Sequence, residues 1–334
     1  MTLNPNVAPS GNFDLSNWKI TLPVDSSGTI SGTAVEVQNL SGYQNSKYFY
    51  TGPDGAMVFY APVDGATTSG SSYARSELRE MNGSSKAAWN LSTGGFMSAT
   101  LEVDAAPMRD GQGKKLVIGQ IHGQDDELVR LYWQDNKLYF ANDQSGSDNK
   151  EHNFTFKADD GSAPDVSLNE KFSYTINAKG NVLDVDVYAD GKVYHSHTTI
   201  NSVWQSDTFY FKAGAYLGAN ETNGSGYGQT SFYALSFNHN GTTTTPSTPT
   251  TPTTPTNPTP TPVPGGTTAT IGSGSDTLVL KISQDAYQGD SQYAIFVDGK
   301  QIGSTLTAKA LHGSGAVDTI TVKGDLPFRV PTFT

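Results

Sequence analysis

From Thr242 to Pro262 the chain contains only threonine, proline, one serine and one asparagine. No side chain there can build an apolar core, and a proline every two or three positions keeps the backbone extended. Such a run is a spacer, so one continuous globule is not expected. The expected division is a body over 1–241, a linker over 242–266 and a tail over 267–334. Charge follows that division. The body carries 16 Lys and Arg against 26 Asp and Glu, and the tail 5 against 6. A net charge of −11 argues against a general nucleic-acid binder, which needs clustered cations to neutralise phosphates. No stretch approaches the ~20 apolar residues that cross a bilayer, so no membrane partner is expected. Cysteine is absent, which removes disulfides, thiolate zinc sites and cysteine nucleophiles.

The body reads as strands. Ala99–Asp104, Phe172–Ile176, Val129–Trp133 and Val182–Tyr188 alternate apolar and polar residues. That period of two marks half-buried antiparallel strands. Pro53-Asp54-Gly55, Asp64-Gly65, Asn82-Gly83 and Asp190-Gly191 supply turns between such strands. No sustained helical period appears, so the expected class is all-β, a sandwich or barrel.

Three strands place polar groups on one face. In Arg75-Ser76-Glu77-Leu78-Arg79, the residues Arg75, Glu77 and Arg79 share a side. In Gln120-Ile121-His122, Gln120 and His122 share a side and Ile121 opposes them. In Tyr210–Tyr216, the residues Tyr210, Lys212 and Tyr216 line one face, while Phe211, Ala213 and Ala215 look like core. Such groups are costly to bury unpaired. One strand of this kind would be an ordinary solvated face with a few ion pairs. Three together hold the donors to bind an anionic sugar and the groups to move a proton.

These blocks, Arg-Ser-Glu-Leu-Arg, Gln-Ile-His and Tyr-Phe-Lys-Ala-Gly-Ala-Tyr in that order, resemble the signature blocks of alginate lyases of polysaccharide lyase family seven. The opening Phe13–Pro23 is also similar, and the resemblance covers roughly 10–240. It implies a concanavalin-like β-jelly roll whose concave sheet forms the substrate groove. It implies alginate as the partner, β-elimination as the reaction, a monomer, and no cofactor or metal. By the same resemblance Arg75, Gln120 and His122 surround a uronate carboxylate, His122 acts as base, and Tyr216 protonates the leaving oxygen or serves as both acid and base. Glu77 is expected to hold Arg75 and Arg79. Arg79, Lys212 and Tyr210 complete the expected substrate-binding set, with a purely structural Lys212 as the alternative. Ile between Gln and His leans toward guluronate-containing or mixed blocks, although Ile121 points away from the groove. The Leu217-Gly218 pair stands where the family often has Gln or Asn, which removes one secondary contact.

Two other activities are alternatives for a β-fold with such a face. A jelly-roll glycoside hydrolase needs two facing carboxylates. Its best candidate here is Glu102-Val103-Asp104, which lacks a second Glu downstream. A non-catalytic lectin would have no use for the His122–Tyr216 pair. His195-Ser196-His197 puts two imidazoles on one strand face without an evident third ligand, so no metal site is expected there. The tail alternates again and resembles the first part of calcium-dependent xylan-binding modules. Its ending after Gly324-Asp325 fits poorly, so a truncated module with weak or no calcium binding is expected. Met1–Pro5 shows neither a basic nor an apolar leader region. Thr/Pro spacers are typical of extracellular polymer-degrading enzymes, so a secreted protein with its leader removed is expected.

Overall fold

The computed structural model describes residues 3–239, 267–274, 276–284, 290–297, 300–310 and 317–324. The Thr/Pro linker and the tail's last ten residues lie outside these. The chain divides into two compact units, Met1–Pro252 and Thr253–Thr334.

The first unit is a β-jelly roll of two antiparallel sheets. One is eleven-stranded. Its main path runs Lys150–Thr155, Lys137–Ser145, Glu127–Gln134, Gly113–His122, Tyr210–Leu217, Arg75–Asn82, Trp18–Thr21, Glu36–Val37. The other runs Lys192–Thr199, Val182–Ala189, Phe172–Lys179, Gly95–Ala105, Tyr227–Asn238, Met57–Pro62, Phe49–Thr51. Each run of alternating residues named above falls inside one of these strands. Asp190 and Gly191 both take positive φ, 51° and 71°, as a two-residue hairpin turn requires.

One core lies between the sheets. Leu78, Ile121, Phe211, Ala213 and Ala215 reach it from the first sheet, and Met97, Leu101, Tyr174 and Phe232 from the second. The Tyr174 hydroxyl crosses to donate to the Ile118 carbonyl at 3.2 Å. A Cβ on Gly119 would lie 2.4 Å from that hydroxyl, so only glycine fits there. The ladder registers also shift beside this point. Leu116 and Ile118 therefore face the core together with Ile121, while Val117 packs on the opposite face. Strict alternation would have put Leu116 and Ile118 on the side of Gln120. The irregularity at Ile118–Gly119 turns the last turn of polar residues outward and keeps the apolar ones in.

Glu80 points away from Glu77, as a period of two requires, and ends up 2% exposed. It accepts from the Trp89 indole and the Phe211 amide, both at 2.9 Å, and lies 2.7 Å from His239 Nε2. His239 Nδ1 is 2.9 Å from the Gly94 carbonyl. Both ring nitrogens thus face acceptors, which suits the charged ring. Burial pushes the His239 pKa down, but Glu80 and the carbonyl outweigh it and hold it above 6.5. The stability this gives is complete below 6.5 and is lost as pH rises through the raised folded value. Urea unfolding scanned upward from that pH should show the loss in the parent and not in His239→Gln. Equal slopes in the two proteins would refute the assignment.

The second unit contains a three-stranded sheet in the order Thr268–Gly272, Asp318–Gly324, Asp276–Ile282, the first pair parallel, and a hairpin of Gln292–Val297 with Lys300–Thr307. Among the described residues its buried apolar side chains are Ala308, Ala310, Ile320 and Val322, whereas Leu278, Val279 and Phe296 are exposed. Much of its apolar surface thus stays outside its core.

Candidate active site

The three polar strands are hydrogen-bonded neighbours at the middle of the eleven-stranded sheet. Tyr210 lies opposite His122, Lys212 opposite both Gln120 and Arg79, and Tyr216 opposite Arg75 and Val117. Residues that sit opposite one another across a ladder share a face, so all eight expected residues stand on the same side of one sheet. Pairing extends one row across five strands, from Lys19 through Arg79, Lys212 and Gln120 to Arg130. Four of those five residues are cations.

Glu77 organises the centre. Its carboxylate is 2.6 Å from Lys212 Nζ and 3.1 Å from Arg75 Nη1, and it accepts from Gln120 Nε2 at 2.5 Å. Burial pushes this carboxyl up, but Lys212 and Arg75 outweigh it and hold it below the usual range. Lys212 is itself pushed down to about 8 by burial and by Arg75, against the pull of Glu77.

This pattern corrects one expectation. Glu77 was expected to hold Arg75 and Arg79, and it holds Arg75, Lys212 and Gln120 instead. Lys212, expected either to meet a substrate carboxylate or to be structural, has a side chain only 9% exposed that rests on Glu77. The cause is Gly214, the residue opposite Glu77. Its φ is +144°, and a Cβ there would lie 2.5 Å from the Ser76 carbonyl oxygen. No side chain stands across from Glu77, so Lys212 leans into the gap. Arg79 lies over the Tyr210 ring at 3.7 Å and donates to the Glu80 carbonyl at 3.1 Å. Among the described residues no carboxylate is within ion-pair reach of it.

Arg75 packs over the Tyr216 ring at 3.8 Å and donates to Ser71 Oγ at 2.8 Å. Ser71 Oγ is also 3.3 Å from the Tyr216 hydroxyl. Two buried atoms in this network, Arg75 Nε and Gln120 Oε1, have no hydrogen-bond partner.

His122 Nδ1 is 2.8 Å from the Gly123 carbonyl. A carbonyl can only accept, so the proton sits on Nδ1 and the lone pair on Nε2. The ring stacks on Tyr210 at 5.0 Å. Burial, helped by Lys212 and Arg75, pushes the His122 pKa down to about 4. The imidazole is therefore neutral at neutral pH.

Several residues on this face went unread in the sequence. Glu127 Oε1 is 3.5 Å from His122 Nε2. Burial and the adjacent Asp143 push Glu127 up to about 8. Arg130 ties together Glu127, Asp143 and Glu151. These acids come from three separate stretches of chain, so only the outward position of Arg130 on its strand hinted at them. Ser71 had no signal. Further along the face, Tyr132 and Tyr139 stack at 5.0 Å with Lys115 Nζ 4.2 Å over Tyr132.

The hydrolase candidates lie elsewhere. Glu102 and Asp104 belong to the other sheet, where Tyr233 bonds Glu102 and where Ser231 and Gln229 bond Asp104. His195 and His197 also belong to that sheet, and the structure does supply a third candidate ligand beside them, Asp186.

An open sheet face with fixed cations, a neutral imidazole and a phenol is suited to a polysaccharide-cleaving enzyme that works by proton transfer on an acidic chain. Comparison with known proteins agrees. A family model described as alginate lyase matches residues 13–239. An alginate lyase from Klebsiella pneumoniae is 32% identical over 284 residues, covering 70% of this chain and 91% of that protein. The crystal structure of the alginate lyase from Klebsiella pneumoniae aligns with a TM-score of 0.62 at 31% identity, over 70% of this chain and 98% of that one. Alginate lyase A1-II', a member of polysaccharide lyase family 7, aligns with a TM-score of 0.56 at 32% identity, over 70% of this chain and 98% of that one. The chain belongs to the alginate lyase family and is a polysaccharide lyase.

Proposed function

We propose that this protein cleaves alginate by β-elimination at uronate residues, inside the polymer, with a lean toward guluronate-containing or mixed blocks. The observation that carries this reading is His122, kept as a free base on Nε2 by the Gly123 carbonyl and set beside Arg75 and Gln120.

The C5 proton of a uronate is a poor acid while its carboxylate is charged. Arg75 and the remaining amide N–H of Gln120 neutralise that carboxylate as negative charge develops on it. His122 Nε2 takes the C5 proton. The electron pair forms the C4–C5 double bond, the C4–O bond breaks, and Tyr216 gives its hydroxyl proton to the leaving oxygen. Ser71 orients that hydroxyl at 3.3 Å. The unpaired Gln120 Oε1 is ready to accept from a sugar hydroxyl. Arg79, free of carboxylates, takes the carboxylate of a neighbouring unit. The polar row continues across five strands of the open sheet, which supports entry by the middle of a chain.

The test is digestion of pure mannuronate and pure guluronate blocks. Ultraviolet absorbance reports the unsaturated product, and proton NMR reports which sugar bears it. Reducing ends without absorbance would indicate hydrolysis, and binding without turnover would indicate a lectin. Exclusive cleavage of mannuronate would overturn the preference alone.

The pH dependence of kcat/KM follows from the same face. It reports ionisations of the free enzyme. His122 places the acidic limb near 4 rather than 6.5. Lys212 and Glu127 both titrate near 8. Deprotonation takes a positive charge from Lys212 or puts a negative one on Glu127, so either makes the face less positive and activity should fall above that pH. An acidic limb at the ordinary histidine value would remove His122 as the base.

The protein is read as a secreted monomer, with the second unit a carbohydrate-binding-like module beyond the linker. The Thr/Pro spacer and the exposed apolar residues of the tail support that reading.

A further inference from the structure

The hairpin turn at Asp190–Gly191 folds strand Lys192–Thr199 onto Val182–Ala189. Its register sets His195 opposite Asp186 and His197 opposite Asp184. The alternate residues Leu183, Val185, Val187 and Tyr194 are buried, so these four polar side chains stand on the outer face of the sheet. Asp186 Oδ1 is 2.8 Å from His195 Nδ1 and 3.1 Å from His197 Nε2. One ligand atom from each of the three residues lies within 4.8 Å of the other two. We propose that Asp186, His195 and His197 form a binding site for a divalent transition metal, with zinc the best match.

The donor set selects the metal. Two imidazoles and one carboxylate suit zinc, whereas calcium and magnesium prefer all-oxygen shells. Zinc bonds of ~2.0–2.1 Å in a tetrahedron separate neighbouring ligand atoms by about 3.4 Å. The observed 2.8 and 3.1 Å need to open by only a few tenths of an ångström. The strand holding His195 is fixed on both sides at that residue. It pairs with Asp186 on one side, and on the other it exchanges two backbone hydrogen bonds with Lys157, at 2.8 and 3.1 Å. The backbone that carries the ligands is thus placed before a metal arrives, and the two imidazoles need only adjust their side chains. Water or Asp184 is left to take the fourth position.

The site belongs to the sheet that does not carry His122, so its expected effect is on stability rather than on turnover. A bound ion would tie the edge strand to its neighbour, and binding to the folded state alone raises stability. Both imidazoles bind the metal through a nitrogen lone pair, so protons compete with the ion for the site.

The test uses the full chain stripped with chelator. Calorimetric titration with zinc chloride should show one saturable site, and zinc should raise the melting temperature. Cobalt(II) should give the intense visible absorption of a four-coordinate ion rather than the pale spectrum of an octahedral one. Loss of a supporting contact alone costs metal sites ~10–100-fold in affinity, so Asp186→Asn and His197→Ala should each cost at least that. His152→Ala, which removes the exposed His152–Asp148 pair, should bind like the parent. The proposal is overturned by no saturable binding, by binding unchanged in Asp186→Asn and His197→Ala, or by binding lost in His152→Ala.

Discussion

Replacing His122 with Asn, or Tyr216 with Phe, is expected to lower kcat by ~10²–10⁴-fold, the usual contribution of a positioned acid or base. The fold should survive both changes. Tyr216→Phe keeps the ring that packs under Arg75 and against Val117, and removes only the hydroxyl that faces Ser71. His122→Asn removes the base and the stacking on Tyr210, but the ring lies on the polar face of its sheet, outside the core between the sheets. Polymer binding should persist, because Arg75, Arg79 and Gln120 remain. The double variant should be little slower than the worse single one, since the two groups serve one elimination. Initial rates of absorbance increase, with thermal melts as a fold control, measure this. Near-parental turnover in either variant would disprove the assigned role.

The second large effect is structural. Glu77 is 1% exposed, and its two oxygens serve Lys212, Arg75 and Gln120. Glu77→Gln removes the anion and leaves two cations facing each other with little water. Breaking one side of a buried pair typically costs ~3–5 kcal/mol, and a loss of that order is expected in urea unfolding. Lys212 can shed part of the cost by losing its proton, which it already does near 8. The destabilisation should therefore deepen as pH falls below that value. Adding Lys212→Met should recover a large part of the stability, because the unpaired charge then disappears. It should not restore turnover, since Arg75 and Gln120 would still lack the carboxylate that orients them. A Glu77→Gln protein as stable as the parent at every pH would show that the carboxylate is no keystone.

Much of this was legible before any coordinates. Arg75, Glu77 and Arg79 share a face because their strand alternates, and the same holds for Gln120 with His122 and for Tyr210, Lys212 and Tyr216. That each set lies on one hydrogen-bonded sheet was implied only by family resemblance. The pairings inside the set were harder to read. Arg79 looked like a partner for Glu77 from two positions away on its own strand. The glycine across the ladder instead opened that place to Lys212. Arg130 drew its acids from residues 127, 143 and 151, which no sequence window joins. Asp186 met His195 and His197 through the register of a hairpin, so two imidazoles that lacked a third donor in sequence acquired one in space.

The sequence by itself determined the class of fold and the side of each strand on which its chemistry lies. Those properties follow from local stereochemistry, because successive side chains on an extended backbone must point opposite ways. Only the tertiary structure decided which charges pair, how the imidazole of His122 is protonated and how Ile118–Gly119 turns its strand. These depend on register between strands far apart in the chain and on the loss of water around them. A charge's partner and its ionisation are set by distance and burial, neither of which a linear pattern contains.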